Sequence, residues 1–409
     1  MVNPTSGGPS AAVLARFRTL LIGAPGDVNK ADDNGFTPLL LAAGWDQVMV
    51  VRTLILAGAD VNKAVIKGVT PLLIGAVAGH EAVVRALIDA GADINKARDD
   101  GATPLVLAAQ KGHEAVVRGL IQAGADVNKA TDIVVTPLLL AAQNGHEAAL
   151  RALIEAGVDI IKTTDDDGTP LYRAARDGHE AVVRVLIEAG ADINKTTDNG
   201  NTSLDISARN GDEAVVQALI AAGADVNKAG AEGWTPLYIA SYLGNEAVVR
   251  ALIAVGADVN TARDDGMTLL CGIAQEGHEV VVRALIEAGA DINKSGDIDM
   301  TPLYFAAIYG HDAVVRALIE LGADINKTDD DSRTPLYIAS FQGHDAVVRA
   351  LIEAGADVNK ARDDGVTPLS ASMTKKRTKK KGKKSSRKVN VAREGHAAIV
   401  QMLRDAGAV

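Results

Sequence analysis

The sequence predicts an all-α repeat solenoid made of 33-residue units, each a helix-turn-helix pair with a finger. Two columns carry the period. Asp27, Asp60, Asp93, Asp126, Asp159, Asp192, Asp225, Asp258, Asp291, Asp324 and Asp357 are each 33 residues apart. Thr37, Thr70, Thr103, Thr136, Thr169, Thr202, Thr235, Thr268, Thr301, Thr334 and Thr367 repeat with the same spacing. The third observation is size and composition. At 409 residues the chain exceeds the roughly 250–300 residues that one core serves, and with only 3% aromatics its core must be thin layers of Ala, Val, Leu and Ile.

Each element of one unit, residues 95–126, has a physical reason. Thr103 is an N-cap and Pro104 takes the first helical position, where no N–H is needed. Ala108 and Ala109 are small enough to let neighbouring helices approach, and Gly112 ends the helix. A second helix sets Val116, Val117, Leu120 and Ile121 on one stripe before Gly124 stops it. The polar, turn-rich remainder reads as an extended finger. One unit cannot bury its stripe alone, so such units come in series.

Gly-x-Thr-Pro-Leu, Ala-Ala, Gly-His and Gly-Ala-Asp-Val-Asn at this period resemble the ankyrin repeat family, from about residue 27 to 369. The resemblance implies an ankyrin-type stack that binds another protein on its concave face and has no catalytic residues. One column departs from the family, which often has His after Thr-Pro-Leu. Here it holds Leu40, Leu73, Val106, Leu139, Tyr172, Asp205, Tyr238, Cys271, Tyr304, Tyr337 and Ser370. The organisation expected is a tail and capping helix over 1–26, the repeat array over 27–372, a basic disordered insertion over 373–391, and a capping helix over 392–409 that completes the last repeat. Ala11 to Ile22 is apolar but interrupted by Arg16 and Arg18, which makes a poor signal peptide and a fair amphipathic helix.

The net charge of −10 hides two unlike parts. Ten lysines and arginines between Lys375 and Lys388 stand without one acid, so the rest of the chain carries −20. An acidic body argues against general nucleic-acid binding. Within the insertion, Lys375, Lys376, Arg377, Lys379, Lys380 and Lys381 resemble a nuclear localisation signal. They give the second reading of the chain: a targeted adaptor that engages an import receptor or nucleic acid. The location expected is cytoplasmic or nuclear.

Catalytic and metal chemistry find little support. All eight histidines (His80, His113, His146, His179, His278, His311, His344 and His396) fall in the Gly-His column or its equivalent. Helices stacked about 8–10 Å apart cannot bring two of them to one ion at about 2 Å. They are expected to bridge neighbouring repeats. The arginine column, Arg118 among it, reads as a solvated helix face. The lone Cys271 permits no intrachain disulfide and reads as a packed thiol. No run of 18 apolar residues suggests a membrane span. Neither cofactor nor metal is expected.

The variable columns place the expected binding surface. The residue before Thr and the third, seventh and eighth after it hold ten of the 12 aromatics: Phe36, Trp45, Tyr172, Trp234, Tyr238, Tyr242, Tyr304, Tyr309, Tyr337 and Phe341. Positions four apart form a ridge along the first helix. In repeats seven to ten it carries Trp234, Tyr238, Tyr242, Leu243, Ile308, Tyr309 and Phe341, whereas repeats five and six place Arg176, Asn201, Asp205 and Arg209 there. For the third column, packing between helices is the equal alternative. Acidic finger tips (Asp99 and Asp100, Asp165 to Asp167, Asp264 and Asp265, Asp297 and Asp299, Asp329 to Asp331, Asp363 and Asp364) would favour a partner with a basic edge. Repeat six lacks the helix-start proline and the histidine, which marks it as the weak unit.

Overall fold

The computed structural model describes residues 27–161, 168–296, 299–373 and 388–409, with side chains of the last helix described from 397 onward. The expected N-terminal cap over 1–26 lies outside the described residues. Among these residues there are 22 α-helices and no strand, the fingers being turns and extended chain with one isolated bridge, Ala262 to Thr268.

The capping chemistry sets each helix start. In repeat three Thr103 is extended and its Oγ1 accepts the Val106 N–H at 3.3 Å, which opens the helix Pro104–Lys111. Gly112 closes that helix at φ 71°. A Cβ there would also meet the His146 ring of the next repeat at 2.5 Å, so glycine is required twice over. The second helix, Glu114–Gln122, buries Val116, Val117 and Leu120 and leaves Ile121 half-buried.

Repeat six departs from this pattern. With Ser203 in place of proline, Asp205 reaches back to accept the Thr202 N–H at 2.7 Å and its hydroxyl at 2.8 Å, while Thr202 Oγ1 accepts the Asp205 N–H. This reciprocal cap offsets part of what the lost proline supplied. Asp205 is 1% exposed, so it does not belong to the polar ridge surface expected of it.

The chain divides into two compact units, one of residues 1–206 with 221–224 and the other of 207–220 with 225–409. The first has Leu39, Leu72, Leu105 and Leu138 of the first helices buried with Leu54, Leu87, Leu120 and Leu153 of the second. The second repeats this with Leu237, Leu270, Leu303 and Leu336 against Leu252, Leu285, Leu318 and Leu351. Each such side chain contributes about 1.5–3 kcal/mol of transfer free energy.

Polar ladders tie neighbouring repeats within each unit. The histidine Nε2 donates to a carbonyl 36 residues earlier: His113 to Val77 at 2.9 Å, His146 to Gln110 at 3.0 Å, and His311 to Gln275 at 2.7 Å. Asn245, the one asparagine in that column, donates to Ala208 at 2.9 Å. In the fingers, Asn62 Oδ1 accepts the Asp93 N–H at 2.7 Å and the Asn62 carbonyl accepts Lys96 Nζ at 2.8 Å. These bonds account for the Asp-x-Asn-Lys column. Ile161 stands at an asparagine position and, with no side-chain acceptor, cannot make the equivalent bond. The arginine column forms ion pairs, as in Arg118 with Glu114 and with Glu155 of the next repeat, but these are exposed and add little each.

At the carboxyl end the helix Pro368–Met373 includes Met373, and the last helix, Lys388–Asp405, begins inside the segment expected to be inserted. Residues 374–387, with all six targeting residues from Lys375 to Lys381, lie outside the described residues. Asn359 Oδ1 accepts the Val409 N–H at 2.9 Å, so the final residues take the place of a twelfth Gly-Ala-Asp in the finger ladder.

Candidate partner-binding ridge

The ridge is built on the first helices of repeats seven to ten. Thr235 Oγ1 accepts the Tyr238 N–H at 3.2 Å and opens the helix Pro236–Tyr242. Trp234, just before the cap, and Tyr242, two turns on, are half-buried. Their rings meet edge-on with centroids 5.3 Å apart. Leu243 follows at 46% exposure. In repeat nine the helix Pro302–Tyr309 ends with Ile308, half-buried, and Tyr309, 52% exposed and stacked on His311 with centroids 6.4 Å apart. Phe341 takes the corresponding half-buried place in repeat ten. Six of the seven expected ridge residues therefore keep accessible surface.

Tyr238 is the correction. It is 1% exposed and packs inward, as do Tyr304 and Tyr337, so at these three positions the third column is core and not contact surface, whereas Tyr172 is half-buried and Ser370 exposed. The cause is local. A Cβ on Gly272 in the next repeat would overlap the Tyr238 hydroxyl, so that glycine provides the room the phenol occupies. Burial pushes the Tyr238 hydroxyl up to about 12, and burial together with the nearby Asp329 raises Tyr304 in the same direction.

The scaffold fixes the ridge backbone. The carbonyl of Tyr242 accepts His278 Nε2 at 3.0 Å, and that of Ile308 accepts His344 Nε2 at 3.1 Å. The residues that carry side chains toward solvent thus receive the interrepeat bonds on their main chain.

Finger arginines, which the sequence reading did not single out, join the ridge to the acidic tips. Arg263 lies over the Trp234 ring at 4.8 Å from its centroid and donates to Asp265 at 2.7 Å. Arg362 lies over the Tyr337 ring at 5.9 Å and pairs with Asp364 at 3.6 Å. The signal was present as Arg-Asp-Asp-Gly at 98–101, 263–266 and 362–365.

Not every tip aspartate is a surface charge. Asp329 is buried, and its carboxylate accepts the Arg333 N–H at 2.8 Å and its Nε at 2.7 Å, so it is a structural anchor of its finger. Asp264, Asp265, Asp299, Asp330, Asp331, Asp363 and Asp364 are exposed. Desolvation and then the neighbouring Asp299, Asp329 and Asp331 push the Asp330 carboxyl up. Asp165 to Asp167 and Asp297 lie outside the described residues. Cys271 is buried with Sγ 3.5 Å from the carbonyl oxygens of Lys294 and Met300, and burial pushes its thiol up to about 11, away from nucleophile chemistry. No described helix is long and apolar enough to cross a membrane.

No curated protein matches the chain. The family model for ankyrin repeats in three copies matches residues 51–131, 131–197, 190–263, 255–329, 295–362 and 321–379, and the single ankyrin repeat matches 34–64. Among solved structures, the human ASB11 ankyrin repeat domain is similar at 29% identity and a TM-score of 0.50, over 55% of this chain and 99% of that one. With these matches running almost unbroken from residue 34 to 379, on the paired helices and interrepeat ladders described above, the chain belongs to the ankyrin repeat family, whose repeats are protein–protein interaction modules.

Proposed function

We propose that this chain is a scaffold that binds a partner protein through the first-helix ridge of repeats seven to ten. The observation that carries the reading is the accessible apolar set Trp234, Tyr242, Leu243, Ile308, Tyr309 and Phe341, gathered in columns where repeats five and six hold Arg176, Asn201 and Arg209. Apolar and aromatic side chains left accessible together mark interaction surfaces, and Trp and Tyr are the usual anchors. The exposed tip aspartates favour a partner with a basic edge. No catalytic role is assigned to any residue.

The test is affinity. With a partner captured on the full chain, Tyr242→Ala and Tyr309→Ala together should weaken binding at least tenfold while Trp45→Ala leaves it unchanged. The opposite pattern would place the site at the amino-terminal end. The second reading, nuclear targeting through Lys375 to Lys381, rests on that run of basic residues. A reporter fused to residues 370–392 that stays cytoplasmic would reject it.

A further inference from the structure

We propose that the ridge of repeats seven to nine selects an arginine flanked by apolar residues, carried on an extended, proline-rich segment of the partner, with Glu276 as the carboxylate that receives it. The proposal rests on the reading of the ridge as a binding surface.

The charge state of Glu276 is the first argument. It ends the helix Leu269–Glu276 of repeat eight, in the column where repeats seven and nine have Leu243 and Tyr309. It is half-buried. Among the described residues no cation pairs with its carboxylate, which accepts one hydrogen bond, from Gln275 Nε2 at 3.2 Å. By contrast Glu246 is paired with Arg250, Glu279 with Arg283, and Asp265 with Arg263. No basic residue stands in the last turn of the helix that Glu276 closes. A helix C-terminus carries partial negative charge, which disfavours an acid there. Folding alone gains nothing from this carboxylate, whereas a cation supplied by a partner would offset both the missing pair and the helix end.

Its surroundings are the second argument. The helix packs between Pro236–Tyr242 and Pro302–Tyr309. His278 Nε2 donates to the Tyr242 carbonyl at 3.0 Å. His311 Nε2 donates to the Gln275 carbonyl at 2.7 Å while its ring stacks on Tyr309. These bonds set Glu276 between Tyr242 and Leu243 on one side and Ile308 and Tyr309 on the other. An acid between two accessible apolar pairs is complementary to an apolar, a cationic and an apolar residue in that order. Arginine fits better than lysine, because its flat guanidinium forks onto a carboxylate and stacks on a ring such as Tyr309. The chain already sets one of its own arginines against ring and acid together, Arg263 with Trp234 and Asp265. Spacing selects the conformation. Neighbouring helices lie about 8–10 Å apart. Three residues of a polyproline II chain rise about 9 Å and return to the same face. The matching segment therefore has its apolar, arginine and apolar residues at every third position.

The probe is the labelled peptide Pro-Leu-Pro-Pro-Arg-Pro-Pro-Leu-Pro, which reads the same in both directions, titrated with the full chain and followed by fluorescence anisotropy. A forked, charge-assisted pair contributes about tenfold in affinity. Replacing the arginine of the peptide by methionine should therefore weaken binding about tenfold, and replacing it by lysine several-fold. Glu276→Gln should weaken the arginine peptide about tenfold and leave the methionine peptide unchanged, with no fall in the urea midpoint of the chain. Glu276→Lys should bind a peptide with glutamate in place of arginine better than the arginine peptide. Equal affinity of the arginine and methionine peptides overturns the proposal, as does a lysine peptide equal to arginine, a Glu276→Gln effect shared by both peptides, or no binding of the arginine peptide up to about 1 mM. If the arginine and methionine peptides bind equally and Tyr242→Ala with Tyr309→Ala weakens both, the role of Glu276 fails while the ridge remains the binding surface. If those alanine changes leave a bound peptide unaffected, the ridge reading fails with it.

Discussion

Gly272→Ala tests whether the third column is core. Gly272 sits inside the helix Leu269–Glu276, where alanine is normally favoured over glycine by about 1 kcal/mol. At this position the added Cβ overlaps the Tyr238 hydroxyl. Tyr238 cannot swing away freely, because Trp234 packs edge-on to it with centroids 4.8 Å apart and Arg263 lies 5.9 Å from its ring. Overpacking of this kind costs about 1–3 kcal/mol. The net expectation is destabilisation by up to about 2 kcal/mol. In a Tyr238→Phe background the nearest remaining ring atom is Cζ at 3.0 Å, a contact that a small shift relieves. There Gly272→Ala should be neutral or stabilising by up to about 1 kcal/mol. The coupling energy of the double-mutant cycle should be about 2 kcal/mol, within the range seen for contacting residues. Urea denaturation followed by far-UV circular dichroism measures the four stabilities, and Trp234 emission in a Trp45→Phe chain reports the local packing. Additive effects would mean that the phenol does not lie against Gly272, and would return Tyr238 to the ridge surface.

Gly119 is the glycine of the second helix of repeat three, where repeats two and four have Ala86 and Ala152, and a Cβ there meets nothing within 4 Å. Gly119→Ala should raise stability by about 1 kcal/mol in urea melts. The hydroxyls of Ser241 and Ser340 are buried with no hydrogen-bond partner, at positions that are alanine in repeats one to six. Each Ser→Ala change should stabilise by about 1 kcal/mol, read as a higher urea midpoint. Because burial holds Tyr238 protonated up to about 12, while an unfolded tyrosine titrates near 10, its contribution is complete below about pH 10 and is lost as pH rises toward 12. The fall in urea midpoint between pH 9 and 11.5 should be smaller in Tyr238→Phe than in the unmodified chain. Hydrogen exchange should show residues 198–225 less protected than 95–125, because repeat six lacks the proline and the histidine; equal protection rejects this.

Much of the architecture was legible because ankyrin-type stability is local and repeated. Thr103, Pro104, Gly112 and Gly124 each act within their own turn of chain, and the 33-residue period states that every unit meets an equivalent neighbour. The histidine bridges were legible for the same reason, since one residue type in one column must make one kind of bond. The ridge was legible only in part. Columns four apart locate a helix face, but the third column lies where that face turns toward the next repeat, and spacing along one helix does not say where the boundary falls.

What the sequence determined by itself was the repeat, its caps and the register of its ladders, all interactions whose partners are given by fixed offsets of 3, 4, 31 or 36 residues. Tertiary structure alone decided that Tyr238 is inside and Tyr309 outside, that Arg263 rests on Trp234, and that Asp329 anchors a finger while Asp330 faces solvent. Those outcomes depend on the volume and charge of what stands opposite in the neighbouring repeat, such as the missing side chain of Gly272, and side-chain volume across an interface is a property of pairs that no single column displays.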